Sequence, residues 1–227
     1  MFKQFSLPDL MYEGRPALPP QKQDLKRLYR YIRESFATTV FEFGCGYSTM
    51  VIGYALHQNK LRFESMSKKP IMRNDFLFEG CSIDTNEHWL IEILSKSNYT
   101  YNISFNQRHC FTNNYNGQRC HMYDNIPQIN PDFIYLDGPD PAQVKNWNPN
   151  WTPMSADILY MEPILIPGTQ ILIDGRTNNA RFLEHNLRRN WKIDWNMEED
   201  YTHMVLDEPR LGKINAVGRD ILDFING

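Results

Sequence analysis

The stretch Phe41-Glu42-Phe43-Gly44-Cys45-Gly46-Tyr47-Ser48-Thr49 decides the fold. Thr39 to Phe43 joins β-branched and aromatic residues up to the stop at Gly44, which reads as a short strand. Gly44 and Gly46 let the backbone turn tightly and approach a ligand. Thr49 to Gln58, carrying Met50, Val51, Ile52, Tyr54, Ala55 and Leu56, then reads as an apolar helix laid against a parallel sheet, with its amino terminus opened by the turn. A tight strand-to-helix connection without a ligand has the same pattern, so the neighbours carry the argument. Glu42 is one of them: a carboxylate in an apolar strand is costly unless amide donors or a bound ammonium group compensate it.

Outward from this turn the chain alternates. Upstream, Leu25, Leu28, Tyr29, Ile32 and Phe36 recur at helical spacing after Pro19-Pro20 and mark 1–37 as a helical extension. Downstream, 60–79, with Lys68-Lys69-Pro70 and Arg73, reads as a polar surface insertion. Cys81 to Asp84 is a strand ending in an acid, Glu87 to Leu94 a helix, and Tyr99 to Phe105 a further strand followed by a long Asn-rich loop to Pro131. Strands at 132–136 and 170–173 both end in Asp-Gly, at Asp137-Gly138 and Asp174-Gly175. A helix over 178–190 precedes two strands, 191–197 and 201–206, that flank the turn Glu198 to Asp200, and 207–227 forms a tail. Strands alternating with helices and closing on an antiparallel hairpin describe a mostly parallel α/β sheet, one domain over 1–227. Ligands of such sheets sit at the carboxyl ends of strands where the strand order reverses.

Composition narrows the function. The chain has 227 residues, 41% hydrophobic, enough for one α/β core. Its mean hydropathy of -0.56 and lack of a long apolar run exclude a membrane span, and no secretory signal opens it, so a cytoplasmic protein is expected. A formal charge of -3 argues against a nonspecific nucleic-acid binder. Four cysteines without a Cys-x-x-Cys pair suit reduced thiols better than a disulfide scaffold.

With Glu42-Phe43-Gly44-Cys45-Gly46-Tyr47-Ser48, Asp84 and Asp137-Gly138-Pro139 in this order, the chain resembles the class I S-adenosylmethionine-dependent methyltransferases. The resemblance implies a Rossmann-like, doubly wound, seven-stranded sheet over about 38–206 with S-adenosylmethionine as cofactor. It places Glu42 near the methionine amino group, Phe43, Gly44, Cys45, Gly46 and Ser48 along the cofactor, Asp84 on the ribose hydroxyls, and Tyr123 or Asp124 at the adenine. Ser48 stands where many members have a third glycine, and it is a good helix-capping residue. Asp84 also reads as a plain helix cap ahead of Glu87.

Methyl transfer to a hydroxyl needs a base or a metal. Asp137 is the first candidate base and His121 the second, whereas an Asp-Gly turn without chemistry is the alternative for Asp137. Asp137, Asp140 and Asp174 are the candidate oxygen ligands for a divalent ion, although Asp174-Gly175-Arg176 lacks the second adjacent ligand of metal-dependent O-methyltransferases. His109-Cys110 and Cys120-His121 are soft ligands at a spacing unlike common zinc sites. Trp147, Asn148, Asn150 and Trp151 suit a sugar, and Arg176, Lys68, Lys69 and Arg73 suit anionic groups or plain solvation. The expected function is thus methylation of a small polar acceptor, such as a hydroxyl of a sugar or glycan precursor. The rivals are a nicotinamide-nucleotide enzyme, which shares the glycine loop and downstream acid, and a non-catalytic partner subunit. The oligomeric state is left open.

Overall fold

The computed structural model describes residues 6–70, 72, 77–148, 150 and 154–209. Its centre is β3 (Thr39–Phe43), five residues buried on both faces. Phe41 and Phe43 point to one side of the sheet, while Val40 and Glu42 point to the other, as the two-residue period of a strand requires. Parallel neighbours flank it: β4 (Glu79–Asp84) and then β5 (Ile103–Gln107) on one side, β8 (Phe133–Leu136) and then β9 (Gln170–Asp174) on the other. β11 (Tyr201–Leu206) pairs antiparallel with β9, and β10 (Trp191–Asn196) antiparallel with β11. The order β10-β11-β9-β8-β3-β4-β5 makes a seven-stranded sheet that reverses its winding between β3 and β8.

Both faces are covered, which is what lets the central strands β3 and β8 be buried along their whole length. On the Val40 side lie α1 (Lys22–Glu34), α2 (Tyr47–Glu64) and α3 (Glu87–Lys96), packed through Leu28, Ile32, Met50, Leu56 and Ile93. On the Phe41 side lie α4 (Asp157–Met161), α5 (Thr177–Asn186) and a separate hairpin, β6 (Cys110–Tyr115) with β7 (Gln118–Tyr123). A second small hairpin, β1 (Met11–Tyr12) with β2 (Arg15–Pro16), precedes α1.

The α/β class, the mostly parallel sheet and the terminal hairpin stand as expected, and four local expectations are corrected. The Asn-rich segment after β5 is not a loop. Asn116 and Gly117, with φ of 49° and 76°, close β6–β7 as a two-residue turn, and this pair is a strong hairpin signal. The insertion is not a polar excursion from residue 60, because α2 runs on to Glu64 and Phe63, Met66, Leu77 and Phe78 pack on Phe36. The extension before β3 is part strand, since Glu13 and Gly14 turn β1 into β2. The helix over 178–190 stops at Asn186, because the Glu162 carboxylate captures the backbone N–H groups of Arg188 and Arg189, at 2.9 Å each. All four cysteines are free thiols. Arg73, Trp151 and the tail from 210 lie outside the described residues.

Candidate active site

A cleft of about 990 Å³ opens at the carboxyl ends of β3, β4, β8 and β9 and is closed from above by the β1–β2 hairpin and the start of α1. Its floor is the switch point itself. Gly44 (φ 91°) and Gly138 meet backbone to backbone there: a Cβ on Gly138 would lie 2.2 Å from the Gly44 Cα. Only glycine at both places lets β3 and β8 approach so closely.

The half of the cleft over β3 and β4 is preorganised by the chain's own donors. Glu42 is fully buried, and its carboxylate accepts hydroxyl hydrogen bonds from Ser48 (2.6 Å), Thr49 (2.7 Å) and Ser82 (2.5 Å). Burial outweighs these three bonds and pushes its carboxyl up to about 7. Thr49 Oγ1 also accepts from the Gly46 N–H at 3.0 Å, so Glu42 locks the glycine turn through the first turn of α2. Asp84 clasps the same turn from β4: one carboxylate oxygen accepts from the Cys45 N–H (3.0 Å) and the other from the Asn86 N–H (2.9 Å). Burial raises its pKa. Trp89 Nε1 donates to the Cys45 carbonyl at 2.6 Å and stacks edge-on with Tyr12 of the overhead hairpin, whose hydroxyl accepts from Gln143 (2.8 Å) and Asn86 (3.1 Å).

The half over β8 and β9 is assembled from distant elements. Asp137 directly follows β8 with its side chain half exposed to the cleft, and partial desolvation together with the nearby Asp24 pushes its carboxyl up to about 6. No described residue hydrogen-bonds its carboxylate; the nearest cation is Arg176 Nε at 3.9 Å. The Arg176 guanidinium itself is pinned to the carbonyl oxygens of Asp137 and Pro139. Asp174 ends β9, and one of its oxygens accepts from Arg27 Nη1 (3.0 Å), the other from the Tyr135 hydroxyl (3.3 Å). Burial, then the nearby Asp24, push its carboxyl up to about 6 as well. Arg27 is 4% exposed, lies over the Tyr201 ring at 4.2 Å, and divides its charge among Asp24 (3.1 Å), Asp174 (3.0 Å) and Glu199 (3.3 Å).

Of the expected site residues, the structure brings Gly44, Cys45, Gly46, Ser48, Asp84 and Asp137 together along the cleft. Glu42 and Phe43 stand behind it: Glu42 is turned inward to three hydroxyls, and Phe43 packs on Phe41 and Tyr123. Ser48 is not the cap of α2, which starts from Gly46; its hydroxyl is spent on Glu42. Asn86 rather than Asp84 caps α3, accepting from the Trp89 N–H at 3.1 Å. Tyr123 and Asp124 do not line the cleft. Tyr123 is buried with its hydroxyl unpartnered, and Asp124 accepts from the His109 N–H at 3.0 Å. His121 does not line it either: it is 1% exposed beside Cys110 Sγ (3.4 Å), and burial pushes its pKa down to about 3. Trp147 packs against the core. Among the described residues no three His, Cys, Asp or Glu side chains are grouped to hold a metal ion. Tyr12, Asp24, Arg27, Trp89, Tyr135 and Gln143 are site residues that sequence reasoning missed; of these only Tyr12 carried a local signal, the Glu13-Gly14 hairpin turn beside it.

No protein-family model matches the chain, and no curated protein does. Solved structures resemble it in fold. The O-methyltransferase from Bacillus cereus in complex with SAH aligns at TM-score 0.50 and 13% identity, over 85% of this chain and 84% of that one. The O-methyltransferase TomG from Streptomyces achromogenes, involved in tomaymycin synthesis and in complex with SAM, aligns at 0.48 and 11%, over 86% and 84%. The SAH-bound Podospora anserina methyltransferase PaMTH1 aligns at 0.49 and 9%, over 84% and 80%. The likeness to the first of these is one of fold: this chain has the Rossmann-like sheet of that O-methyltransferase.

Proposed function

We propose that the chain is an S-adenosylmethionine-dependent methyltransferase acting on a hydroxyl of a small polar acceptor, of which a sugar or glycan-precursor hydroxyl is one case. The observation that carries this reading is the clasp of Asp84 on the glycine turn at the switch point of the sheet. The Cys45 and Asn86 N–H groups fix the Asp84 carboxylate at the edge of the cleft, where a pair of adjacent ribose hydroxyls can donate to it. The amino terminus of α2 faces the same cleft and suits the carboxylate of a methionyl group. Glu42 acts from behind as a positioning residue, holding Ser48 and Thr49.

When bound, S-adenosylmethionine supplies an electrophilic methyl carbon whose bond to sulfur breaks as the acceptor oxygen bonds to it. Asp137, at the end of β8 next to the glycine turn, takes the hydroxyl proton on its carboxylate. A carboxyl at about 6 is ionised at pH 7 and more basic than an ordinary Asp, which is what a general base at that pH requires. The β1–β2 hairpin, tied to Gln143, Asn86 and Trp89 through Tyr12, borders the half of the cleft over β3 and β4.

The test is calorimetric titration with S-adenosylhomocysteine and S-adenosylmethionine, with NAD as control. Both sulfur ligands should bind and NAD should not. Asp84→Ala should weaken both about tenfold or more while the variant stays folded. An unchanged affinity in that variant, or tighter binding of NAD, overturns the reading.

A further inference from the structure

The two halves of the cleft differ in how their carboxylates are compensated, and this bears on the acceptor. This inference rests on the methyltransferase reading above and specifies its acceptor. Asp24, from the first turn of α1, joins Asp137 and Asp174 on the wall over β8 and β9. A single nitrogen, Arg27 Nη1, serves both Asp24 and Asp174, and Arg27 Nη2 is spent on Glu199. The second oxygen of Asp24 has no hydrogen-bond donor among the described residues, and the Asp137 carboxylate has none at either oxygen. Arg176, the cation closest to Asp137, is committed to two backbone carbonyls, and the other cation of the lining, Arg15, is exposed on the overhead hairpin. Asp24 raises the pKa of both Asp137 and Asp174, and Asp137 raises that of Asp174. Their spacing does not group them round a metal ion. The charge therefore suits a larger organic cation that meets the carboxylates one at a time.

We propose that the acceptor carries a protonated amine beside the hydroxyl to be methylated, and that Asp24 and Asp174 are the specificity-determining residues that hold this ammonium group while Asp137 faces the hydroxyl. An ammonium on this wall gives Asp24 the donor that its second oxygen lacks and adds a charge-assisted hydrogen bond at Asp174 beside those from Arg27 and Tyr135, whereas an anionic acceptor meets like charge. The Tyr135 hydroxyl and Arg27 hold Asp174 in place for this contact.

The experiment uses the full chain loaded with S-adenosylhomocysteine and three two-carbon probes that share a hydroxyl: ethanolamine, ethylene glycol and glycolate. Their affinities are read by ligand-observed NMR. Ethanolamine should bind about tenfold tighter than either of the others, and Asp24→Asn should remove most of that advantage with the S-adenosylhomocysteine affinity unchanged. Asp24→Asn is chosen because Arg27 keeps Asp174 and Glu199, and Asp174→Asn gives the second variant. Equal or tighter binding of ethylene glycol or glycolate overturns the proposal, as does no probe binding to a chain that binds S-adenosylhomocysteine. Variants that lose affinity for S-adenosylmethionine but keep it for ethanolamine overturn it too, because the carboxylates then serve the sulfonium. A folded chain that binds no S-adenosylhomocysteine fails the methyltransferase reading itself, a distinct result.

Discussion

The cleft has a closed half and an open half, and both are built from acids. Over β3 and β4, Glu42 and Asp84 accept from hydroxyl and amide donors that come from the glycine turn, the start of α2 and the end of β4. Over β8 and β9, the Asp137 carboxylate has no hydrogen bond among the described residues and Asp174 shares its guanidinium with two other carboxylates. The difference teaches that carboxylates in one site do different work according to who satisfies them. Three hydroxyl donors and full burial make Glu42 scaffolding, whereas the Asp137 carboxylate, with no donor among the described residues, is left for a substrate.

That contrast can be broken at its seam. Gly138→Ala drives a methyl group into the Gly44 backbone, which cannot move without separating β3 from β8. The expected loss is about 3 kcal/mol or more in denaturant unfolding, and a variant of wild-type stability would show that the two strand ends are not locked together. The open half is sharpened by Asp137→Asn, which keeps the side chain's shape and removes its basicity. Turnover should fall by roughly 10²–10⁴, with S-adenosylhomocysteine binding intact. In the parent protein kcat should rise with pH through about 6, because the carboxylate is the active form and loses its proton there, and level off above. A variant that retains that acidic limb would assign the titration to another group. The smallest effect belongs to the closed half. Ser82→Ala removes one of three donors to Glu42 and should cost about 1–2 kcal/mol. Glu42 is raised from 4.5 to about 7, so the folded state holds a proton that the unfolded chain releases between those values, and stability falls as pH rises through that window. Losing Ser82 disfavours the ionised form most, so the cost should be larger at pH 8 than at pH 5. Equal costs at both would mean that Glu42 does not titrate in the fold.

The closed half was largely legible because its parts are contiguous. The strand, the two glycines and the apolar helix stand within about twenty residues, and Asp84 ends the next strand. Strand ends bearing Asp137 and Asp174 were legible for the same reason. The open half is not legible in the same way, since Asp24 and Arg27 sit among many charged residues of α1 and the apolar stripe carries all of that helix's pattern. Nothing local distinguishes a buried Arg27 from its exposed neighbour Arg30; the partners that bury it come from β9 and the turn before β11. Tyr123, Asp124 and His121 went the other way. The resemblance places Tyr123 or Asp124 at the adenine and His121 is the second candidate base, but β6 pairs with β7 and none of the three lines the cleft.

Arg27 also sets an order of events. Its partners Asp174 and Glu199 lie 147 and 172 residues further along the chain, so during synthesis the guanidinium waits until almost the whole described sequence has emerged. The segment from β3 to α3 emerges much earlier and already contains the glycine turn, Glu42, Ser82 and Asp84. The emerging chain therefore holds the parts of the glycine turn and its clasp well before β9 and the turn ahead of β11 supply the partners of Arg27.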